Sequence, residues 1–178
     1  MAIIDAHTHL GACRVFDIET SENQLIESMD KNSITVNIVQ PYPGAPSVTA
    51  VHNRIKTMAI ENPGRIFGIA SINPHQDHQS YFKELRRCVQ ELGFVGVKLH
   101  TIGHSVNPAG LDGTMVFESA AQLDIPVMVH TGPGIPFAAP SSLQPKLKQF
   151  PQVKVVMAHA GHGIFSGEAV AMAQLYPQ

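Results

Sequence analysis

The chain has 178 residues, of which 44% are hydrophobic, so it is long enough for one domain with a substantial core. Charged residues make up 15% and the net charge is −2, which gives no reason to expect a nucleic acid or an anionic membrane as partner. No signal peptide and no apolar run near the ~20 residues of a membrane-spanning helix is present, so a cytoplasmic protein is expected. Cys13 and Cys88 are too few for a disulfide framework, and we expect both to be buried free thiols.

Short runs rich in Ile, Val or Phe alternate along the chain with amphipathic segments. Because these runs are nearly continuously apolar, they are typical of strands that are buried on both faces of a parallel sheet. Strands are predicted at 2–7, 34–40, 65–72, 94–99, 126–130 and 153–158, with irregular segments at 10–19, 41–47, 100–111 and 131–140. Helices are predicted at 21–31, 47–61, 77–92, 112–123 and 141–149, and a last helix begins near Ser166. Ser21 with Gln24 predicts a capping box, and Ser141 is a predicted N-cap.

The spacing of the predicted strands indicates the fold class. Successive strands begin about 30 residues apart, which is the size of one βα unit. Six such units are present, whereas eight at this period take roughly 240 residues. We therefore expect an α/β chain with a single domain over residues 1–178, a TIM-type (β/α)8 barrel truncated after about six βα units, with strands 7 and 8 missing. A complete six-stranded open sheet is the alternative.

Four histidines lie at the ends of predicted strands. The first strand ends in His7-Thr8-His9, and strand alternation points both imidazoles to one face. The fifth strand ends at His130 and the sixth at His159. Imidazole is the commonest metal ligand, and a catalytic zinc takes three protein ligands and keeps one position for water. We predict a metal site of His7, His9 and His130, with His159 as a further ligand or as the catalytic acid or base.

Weaker candidates for substrate contact are Lys98, His100, His104 and His162. Lys98 and His100 close the fourth strand two residues apart and therefore share a face. An inward Lys98 could bind an anionic substrate or carry a carbamate that bridges two metals, and the alternative is a lysine that reaches out to solvent.

Three further histidines, His52, His75 and His78, lie away from the predicted strand ends, and we expect them to be ordinary surface residues. The sequence contains no phosphate-binding loop, no G-x-S-x-G elbow and no H-E-x-x-H helix. The strand-end histidines therefore remain the main candidates for a functional site.

Five motifs in this order resemble the amidohydrolase superfamily: residues 5–10, 96–100, 129–132, 136–141 and 158–161. Within it they resemble the branch that includes aminocarboxymuconate-semialdehyde decarboxylase and many metal-dependent hydrolases. The resemblance implies a (β/α)8 barrel with a divalent metal, usually zinc, on His7, His9 and His130, and a His159 that acts on the substrate or holds a second metal. It also implies an aspartate after strand eight, as ligand and proton acceptor, at a position that this sequence does not contain.

The function expected from these residues is a metal-dependent hydrolase that acts on a small amide, lactone or carboxylate through a metal-activated water, with zinc as the expected ion. In this reaction His159 would stabilise an oxyanion or move a proton. The alternatives are a non-oxidative decarboxylase of an unsaturated acid, a metal-free lactonase, and an inactive fragment or a subunit completed by a partner chain. The expected partner is a small-molecule substrate, and formation of a homo-oligomer is left open.

Overall fold

The computed structural model describes residues 2–178. Its strands are β1 (Ile4–Cys13), β2 (Ile18–Thr20), β3 (Val36–Pro41), β4 (Ile66–Gly68), β5 (Ala70–Ser71), β6 (Val97–Leu99), β7 (Val127–His130) and β8 (Val155–Ala158). Its α-helices are α1 (Glu22–Lys31), α2 (Val48–Glu61), α3 (His78–Gln90), α4 (Leu111–Leu123), α5 (Gln144–Gln149) and α6 (Ser166–Leu175). Short 3₁₀ helices span Pro136–Ala138, Pro140–Leu143 and His159–Gly161.

The strands form two parallel ladders that follow one another in chain order. β1, β3 and β4 pair in parallel, as do β5, β6, β7 and β8. The chain passes from one ladder to the other at Ile69, whose amide donates to the Val39 carbonyl at 2.9 Å, while the Ala70 amide donates to the Gly96 carbonyl at 3.0 Å. β4 and β5 therefore share one strand position. The six parallel positions, each followed by a helix, confirm the predicted α/β class and the six βα units.

Local sequence explains where several helices begin. Ser21 and Gln24 form the predicted capping box in front of α1. The prediction of Ser141 as an N-cap was wrong, because Pro140 begins a 3₁₀ helix there and α5 starts only at Gln144, without a side-chain cap. The Ser141 amide instead donates a hydrogen bond to Glu168 Oε2 at 3.2 Å.

The segment 10–19, predicted to be irregular, forms a β-hairpin. β1 continues to Cys13 and β2 pairs antiparallel with it, in the register Gly11↔Thr20 to Cys13↔Ile18. The prediction was wrong because the ladder between these two strands satisfies backbone groups that a loop would leave to solvent. The hairpin places its tip beside the carboxyl ends of the parallel strands.

Alternation along the strands separates an outer face from an inner face. Leu10, Val39, Val97 and Val129 lie on the outer face, where they join the main core beneath the helices. A second cluster, formed by Ile69, Met128 and Ala158 with Ile38, lies on the inner face. Both cysteines are buried free thiols, as predicted. Among residues 2–178, no helix is long and apolar enough to cross a membrane.

Candidate metal centre

One cavity of about 500 Å³ opens at the carboxyl ends of the parallel strands. This volume lies within the ~300–1,000 Å³ typical of small-molecule sites. Six of its lining residues are histidines: His7, His9, His100, His130, His159 and His162. The others are Phe16, Tyr42, Ile102 and Pro133, so an apolar rim surrounds a bed of imidazoles.

The imidazoles of the predicted metal and catalytic residues lie side by side in this cavity. The ring centroids of His7 and His9 are 5.0 Å apart, and those of His7 and His159 are 4.8 Å apart. The His130 ring lies 4.9 Å from that of His159 and stacks on His100 at 4.6 Å. The structure therefore brings these residues together from β1, β7 and the turn after β8.

Two of the imidazoles offer free nitrogen lone pairs. His9 Nδ1 lies 3.2 Å from the Pro41 carbonyl oxygen, and because a carbonyl only accepts, this contact places the proton on Nδ1 and leaves Nε2 free. His130 is 8% exposed, and neither of its ring nitrogens has a hydrogen-bond partner. Buried polar atoms without a partner are rare, and here they point to a bound group. His9 and His130 therefore fit a divalent ion, whereas Nε2 of His7 lies 3.0 Å from Lys98 Nζ.

Burial keeps these histidines neutral, which is the form that binds a metal. Burial, and next the charge of Lys98, lower the pKa of His7 to about 2 and that of His9 to about 4. The same two causes lower the pKa of His130 to about 4. Burial and the neighbouring His162 and Lys98 also lower the pKa of His159.

The side chain of Lys98 lies on the inner face of the strands and does not reach solvent. Its side chain is 1% exposed, and its Nζ lies 3.0 Å from His7 Nε2. Burial lowers the pKa of Lys98 to about 7. Lys98 does not itself line the cavity and adjoins it through His7.

The remaining candidates divide between the cavity and its surroundings. His100 lines the cavity, and its Nδ1 accepts from the Gly103 amide at 3.0 Å. His162 also lines it and stacks on His159, with 4.3 Å between the ring centroids. His104 is buried but does not line the cavity, and its carbonyl accepts from His75 Nε2 at 2.7 Å. His104 was expected to contact the substrate, but in the structure it lies outside the cavity lining.

Sequence reasoning did not single out the aromatic residues of the cavity. Phe16 comes from the tip of the β1–β2 hairpin, and Tyr42 follows β3. The Tyr42 ring stacks on His9, with centroids 4.5 Å apart, and its hydroxyl forms a hydrogen bond with Thr20 Oγ1 at 3.0 Å. Aromatic residues in segments that follow strand ends were the available signal.

Threonines that directly follow three of the site histidines hold the strand ends together; we call Thr8, Thr101 and Thr131 the strand-end threonines. Each donates its hydroxyl to a backbone carbonyl of the neighbouring strand. Thr8 donates to the Ile38 carbonyl at 3.2 Å, Thr101 to the His130 carbonyl at 2.9 Å, and Thr131 to the Ala158 carbonyl at 2.8 Å. The repeated His-Thr pair therefore directs an imidazole inward and fixes the adjacent strand.

The turn after β8 carries backbone strain at the site. His159, Ala160 and His162 have φ angles of 67°, 45° and 52°, in the left-handed region that non-glycine residues rarely adopt. A Cβ at Gly132 would lie 2.3 Å from His162 Cδ2, so only glycine leaves room for this ring. Such strain is typical of functional sites.

A second cluster of polar side chains, which contains one histidine, lies between α2 and α3, and it corrects the expectation that His52 is a surface residue. His52 is fully buried. Together with Glu84 and Cys88 it forms the one set, among residues 2–178, in which three potential ligand atoms of His, Cys, Asp or Glu lie within 4.8 Å of one another. The cavity histidines are spaced more widely than this set. If the distances between potential ligand atoms were the only criterion, the metal site would therefore be assigned to this second cluster.

Hydrogen bonding argues against a metal in this second cluster. The Ser71 amide donates to His52 Nε2 at 3.2 Å, which leaves the ring proton on Nδ1. That proton is donated to Glu84 Oε1 at 2.8 Å, and Arg87 donates to both oxygens of the same carboxylate at 2.8 Å. His52 has no free lone pair, and we interpret the cluster as a satisfied structural network.

Six consecutive βα units with imidazoles gathered at the strand ends are typical of metal-dependent barrel enzymes. A family model described as amidohydrolase matches residues 4–177, and the chain belongs to this family.

Parts of the chain are similar to decarboxylases. It is 36% identical over 83 residues to 2-amino-3-carboxymuconate-6-semialdehyde decarboxylase of Dictyostelium discoideum, covering 45% of this chain and 22% of that protein. It is 25% identical to gamma-resorcylate decarboxylase of Rhodococcus jostii, covering 85% and 58%. The 5-carboxyvanillate decarboxylase of Novosphingobium aromaticivorans, solved with bound manganese, matches with a TM-score of 0.68 at 16% identity, covering 92% and 67%. This structural likeness supports the barrel fold.

These relatives bear on the expected reaction. The chain spans between about a fifth and three fifths of the length of the curated relatives it matches. Most of them are decarboxylases and one is a hydratase. The decarboxylase alternative is therefore better supported than the expected hydrolase, and the metal named for the solved relative is manganese, where zinc was expected.

Proposed function

We propose that the chain carries the metal site of a non-oxidative decarboxylase that acts on a small unsaturated or aromatic carboxylic acid. The observation that carries the proposal is the convergence of His7, His9, His130 and His159 on one cavity at the strand ends. The preponderance of decarboxylases among the named relatives supports this reaction over hydrolysis.

The residues that would hold the ion are His7, His9 and His130. A divalent ion bound there supplies positive charge that stabilises the negative charge developing on the substrate as carbon dioxide leaves. Zinc is the ion that an all-imidazole set favours, and manganese is the competing choice. His9 is oriented for this task by its Nδ1–H bond to the Pro41 carbonyl.

The chain's own groups account for substrate orientation and proton transfer. Lys98 does not line the cavity, but beside His7 it would place an amine close to a bound acid. Tyr42 and Phe16, on the rim, would pack against a planar conjugated group and exclude water. Decarboxylation breaks the bond between the carboxylate carbon and its neighbour, and the electron pair left on that neighbour takes up a proton. His159, stacked on His162 at the open side of the bed of imidazoles, is placed to move that proton.

The proposal is tested by carbon dioxide release. The chain is loaded with Zn²⁺ or Mn²⁺ and incubated with a panel of hydroxylated benzoates and unsaturated dicarboxylates. Release of carbon dioxide with one substrate class, abolished in His159→Ala and retained in His78→Ala, is the expected result. His78 is a suitable control because it lies exposed on α3, away from the cavity.

A water-adding reaction is the second candidate, since the family model is that of amidohydrolases and one relative is a hydratase. Both hydrolysis and hydration incorporate solvent oxygen into the product. Incorporation of ¹⁸O from labelled water without carbon dioxide release would replace the proposed reaction by this one. Absence of both with every substrate and either metal would contradict an active site in this chain.

A further inference from the structure

The buried amine of Lys98 has no acidic partner and contacts one of the predicted metal ligands. Among residues 2–178, no carboxylate forms an ion pair with Lys98, and the hydrogen-bond partner of its Nζ is His7 Nε2 at 3.0 Å. The lysine is 1% exposed. Because lysines are almost never fully buried unless they are paired, an amine buried against an imidazole requires an explanation.

This contact engages a ring atom that an ion could use. If the amine donates, it takes up the lone pair of His7 Nε2, and if Nε2 carries the ring proton, it donates to the amine. In both cases His7 Nε2 has no lone pair free for an ion, whereas the same atom of His9 is free. An ion that binds through His7 Nε2 therefore has to displace Lys98.

The spacing of the cavity histidines indicates that metal binding rearranges the site. Two imidazole nitrogens bound to one tetrahedral ion stand roughly 3.4 Å apart, because each zinc–nitrogen bond is about 2.0–2.1 Å long. Within residues 2–178, no three cavity histidines bring their ligand atoms within 4.8 Å of one another. At least one ring therefore has to move toward an ion, and the ring of His7 is held by Lys98.

Ser71 offers the displaced amine a second partner. It lies on β5 in register with Lys98 on β6, and parallel neighbours stand about 4.8 Å apart. The preceding residues, Ala70 and Val97, both belong to the outer core, so Ser71 and Lys98 both point to the inner face. The Ser71 hydroxyl is buried and has no hydrogen-bond partner, and a hydroxyl oxygen can accept from an amine.

We propose that Lys98 is a positioning residue with two alternative partners: it holds His7 Nε2 in the metal-free protein and moves to the Ser71 hydroxyl when an ion binds. This inference rests on the proposed function, because it takes His7 as a metal ligand. Lys98 then weakens metal binding by the hydrogen bond that has to be broken, and Ser71 recovers part of that loss by accepting the amine. The buried amine keeps a partner in both states, as a buried polar group requires.

The affinity for Zn²⁺, measured by competition with a fluorescent chelator, tests this exchange. Lys98→Met keeps the length of the side chain and removes the amine, so this variant is expected to bind Zn²⁺ about tenfold more tightly than the wild type. Loss of a positive charge beside the ion acts in the same direction. Lys83→Met removes an exposed lysine from α3 and is expected to leave the affinity unchanged, so it is the control for net charge.

Ser71→Ala separates the exchange of partners from the effect of charge. It removes the acceptor but not the charge, so this variant is expected to bind Zn²⁺ about threefold more weakly than the wild type. In Lys98→Met/Ser71→Ala the serine substitution is expected to have no effect, because no amine remains to be accepted. Thermal melting checks the fold, and Ser71→Ala is expected to melt like the wild type because its hydroxyl has no partner.

An affinity of Lys98→Met equal to or below that of the wild type overturns the inference, since an ion bound through His7 Nδ1 would leave Lys98 in place. If Lys98→Met does not fold, Ser71→Ala decides by itself, and an unchanged affinity overturns the inference. An equal effect of Ser71→Ala with and without Lys98 also overturns it. Each of these results leaves Zn²⁺ bound to the wild type and the proposed function intact. If the wild type does not bind Zn²⁺, the proposed function fails and the inference fails with it.

Discussion

The protein contains two clusters built around histidines, the cavity at the strand ends and the network of His52 with Glu84, and they differ in how the ring nitrogens are partnered. In the network of His52 and Glu84, every ring nitrogen has a partner: the Ser71 amide on one side and the carboxylate on the other. In the cavity, both nitrogens of His130 are unpartnered and Nε2 of His9 is free. The network is nevertheless the tighter of the two sets.

The difference shows that hydrogen-bond satisfaction identifies a binding site better than proximity does. A buried group with all its partners stabilises the fold, and removing one partner leaves the other desolvated. A buried group without partners costs stability until a ligand supplies them. The following experiments test this contrast, beginning with the largest expected effect.

Removing two cavity imidazoles should abolish metal binding. In the double variant His9→Ala/His130→Ala, affinity for Zn²⁺ or Mn²⁺ should fall by about a thousandfold or more, well beyond the ~100-fold typical of losing an outer partner of a ligand. Metal content after dialysis against a weak chelator measures the effect, and His78→Ala is the control. If the double variant still retained one equivalent of metal, the metal site would have to lie elsewhere in the protein.

Replacing His52 should affect stability and leave metal binding unchanged. His52→Leu removes the partner of the Ser71 amide and of Glu84, and we expect the free energy of unfolding to fall by about 3 kcal/mol. The matched variant His130→Leu, measured without metal, removes unpartnered nitrogens and should change it by less than about 1 kcal/mol. Urea unfolding monitored by circular dichroism compares the two. Equal losses in both variants would remove the proposed distinction.

The network should make the protein sensitive to acid. Burial lowers the pKa of His52 below its ordinary 6.5, so below that pH the unfolded chain binds a proton that the folded chain does not, and stability falls as the pH falls. Burial raises the pKa of Glu84, but hydrogen bonds from Arg87 and His52 outweigh burial and lower this pKa from 4.5 to about 2. The contribution of Glu84 to folding stability is therefore lost as the pH falls from about 4.5 to about 2. In His52→Gln, the slope of unfolding free energy against pH just below 6.5 should be shallower by up to about 1.4 kcal/mol per pH unit. A slope identical to that of the wild type would show that His52 is protonated in the fold.

Loss of a strand-end threonine should have the smallest effect. Thr101→Val keeps the shape of the side chain but removes the hydroxyl that donates to the His130 carbonyl, at an expected cost of about 1 kcal/mol. Urea unfolding measures this cost. Thr57→Val, at an exposed hydroxyl within α2, is the control and should cost less. A Thr101→Val variant as stable as the wild type would indicate that the carbonyl finds another donor.

Much of the fold and of the candidate site could be predicted from periodicity. Apolar runs that end in histidine located the strands, and alternation placed His7 and His9 on one face, where the structure has both. The burial of His52 could not be predicted, because it depends on contacts between residues distant in sequence. The β1–β2 hairpin was missed although it pairs residues that are close in sequence, from Gly11 with Thr20 to Cys13 with Ile18. His52 is separated from Glu84 by 32 positions, and only the packing of α2 on α3 shows that its nitrogens are satisfied.

The strand-end threonines link the rim of the barrel into a series. Thr101 donates a hydrogen bond to the His130 carbonyl, and Thr131 donates one to the carbonyl of Ala158, the residue before His159. A small displacement of one strand terminus is thereby transmitted to the next imidazole, so the spacing of the ligands is a collective property. An ion that pulls one imidazole inward would also shift the neighbouring imidazoles. The metal affinity of the site would then depend on the strand-end threonines, which do not contact the metal.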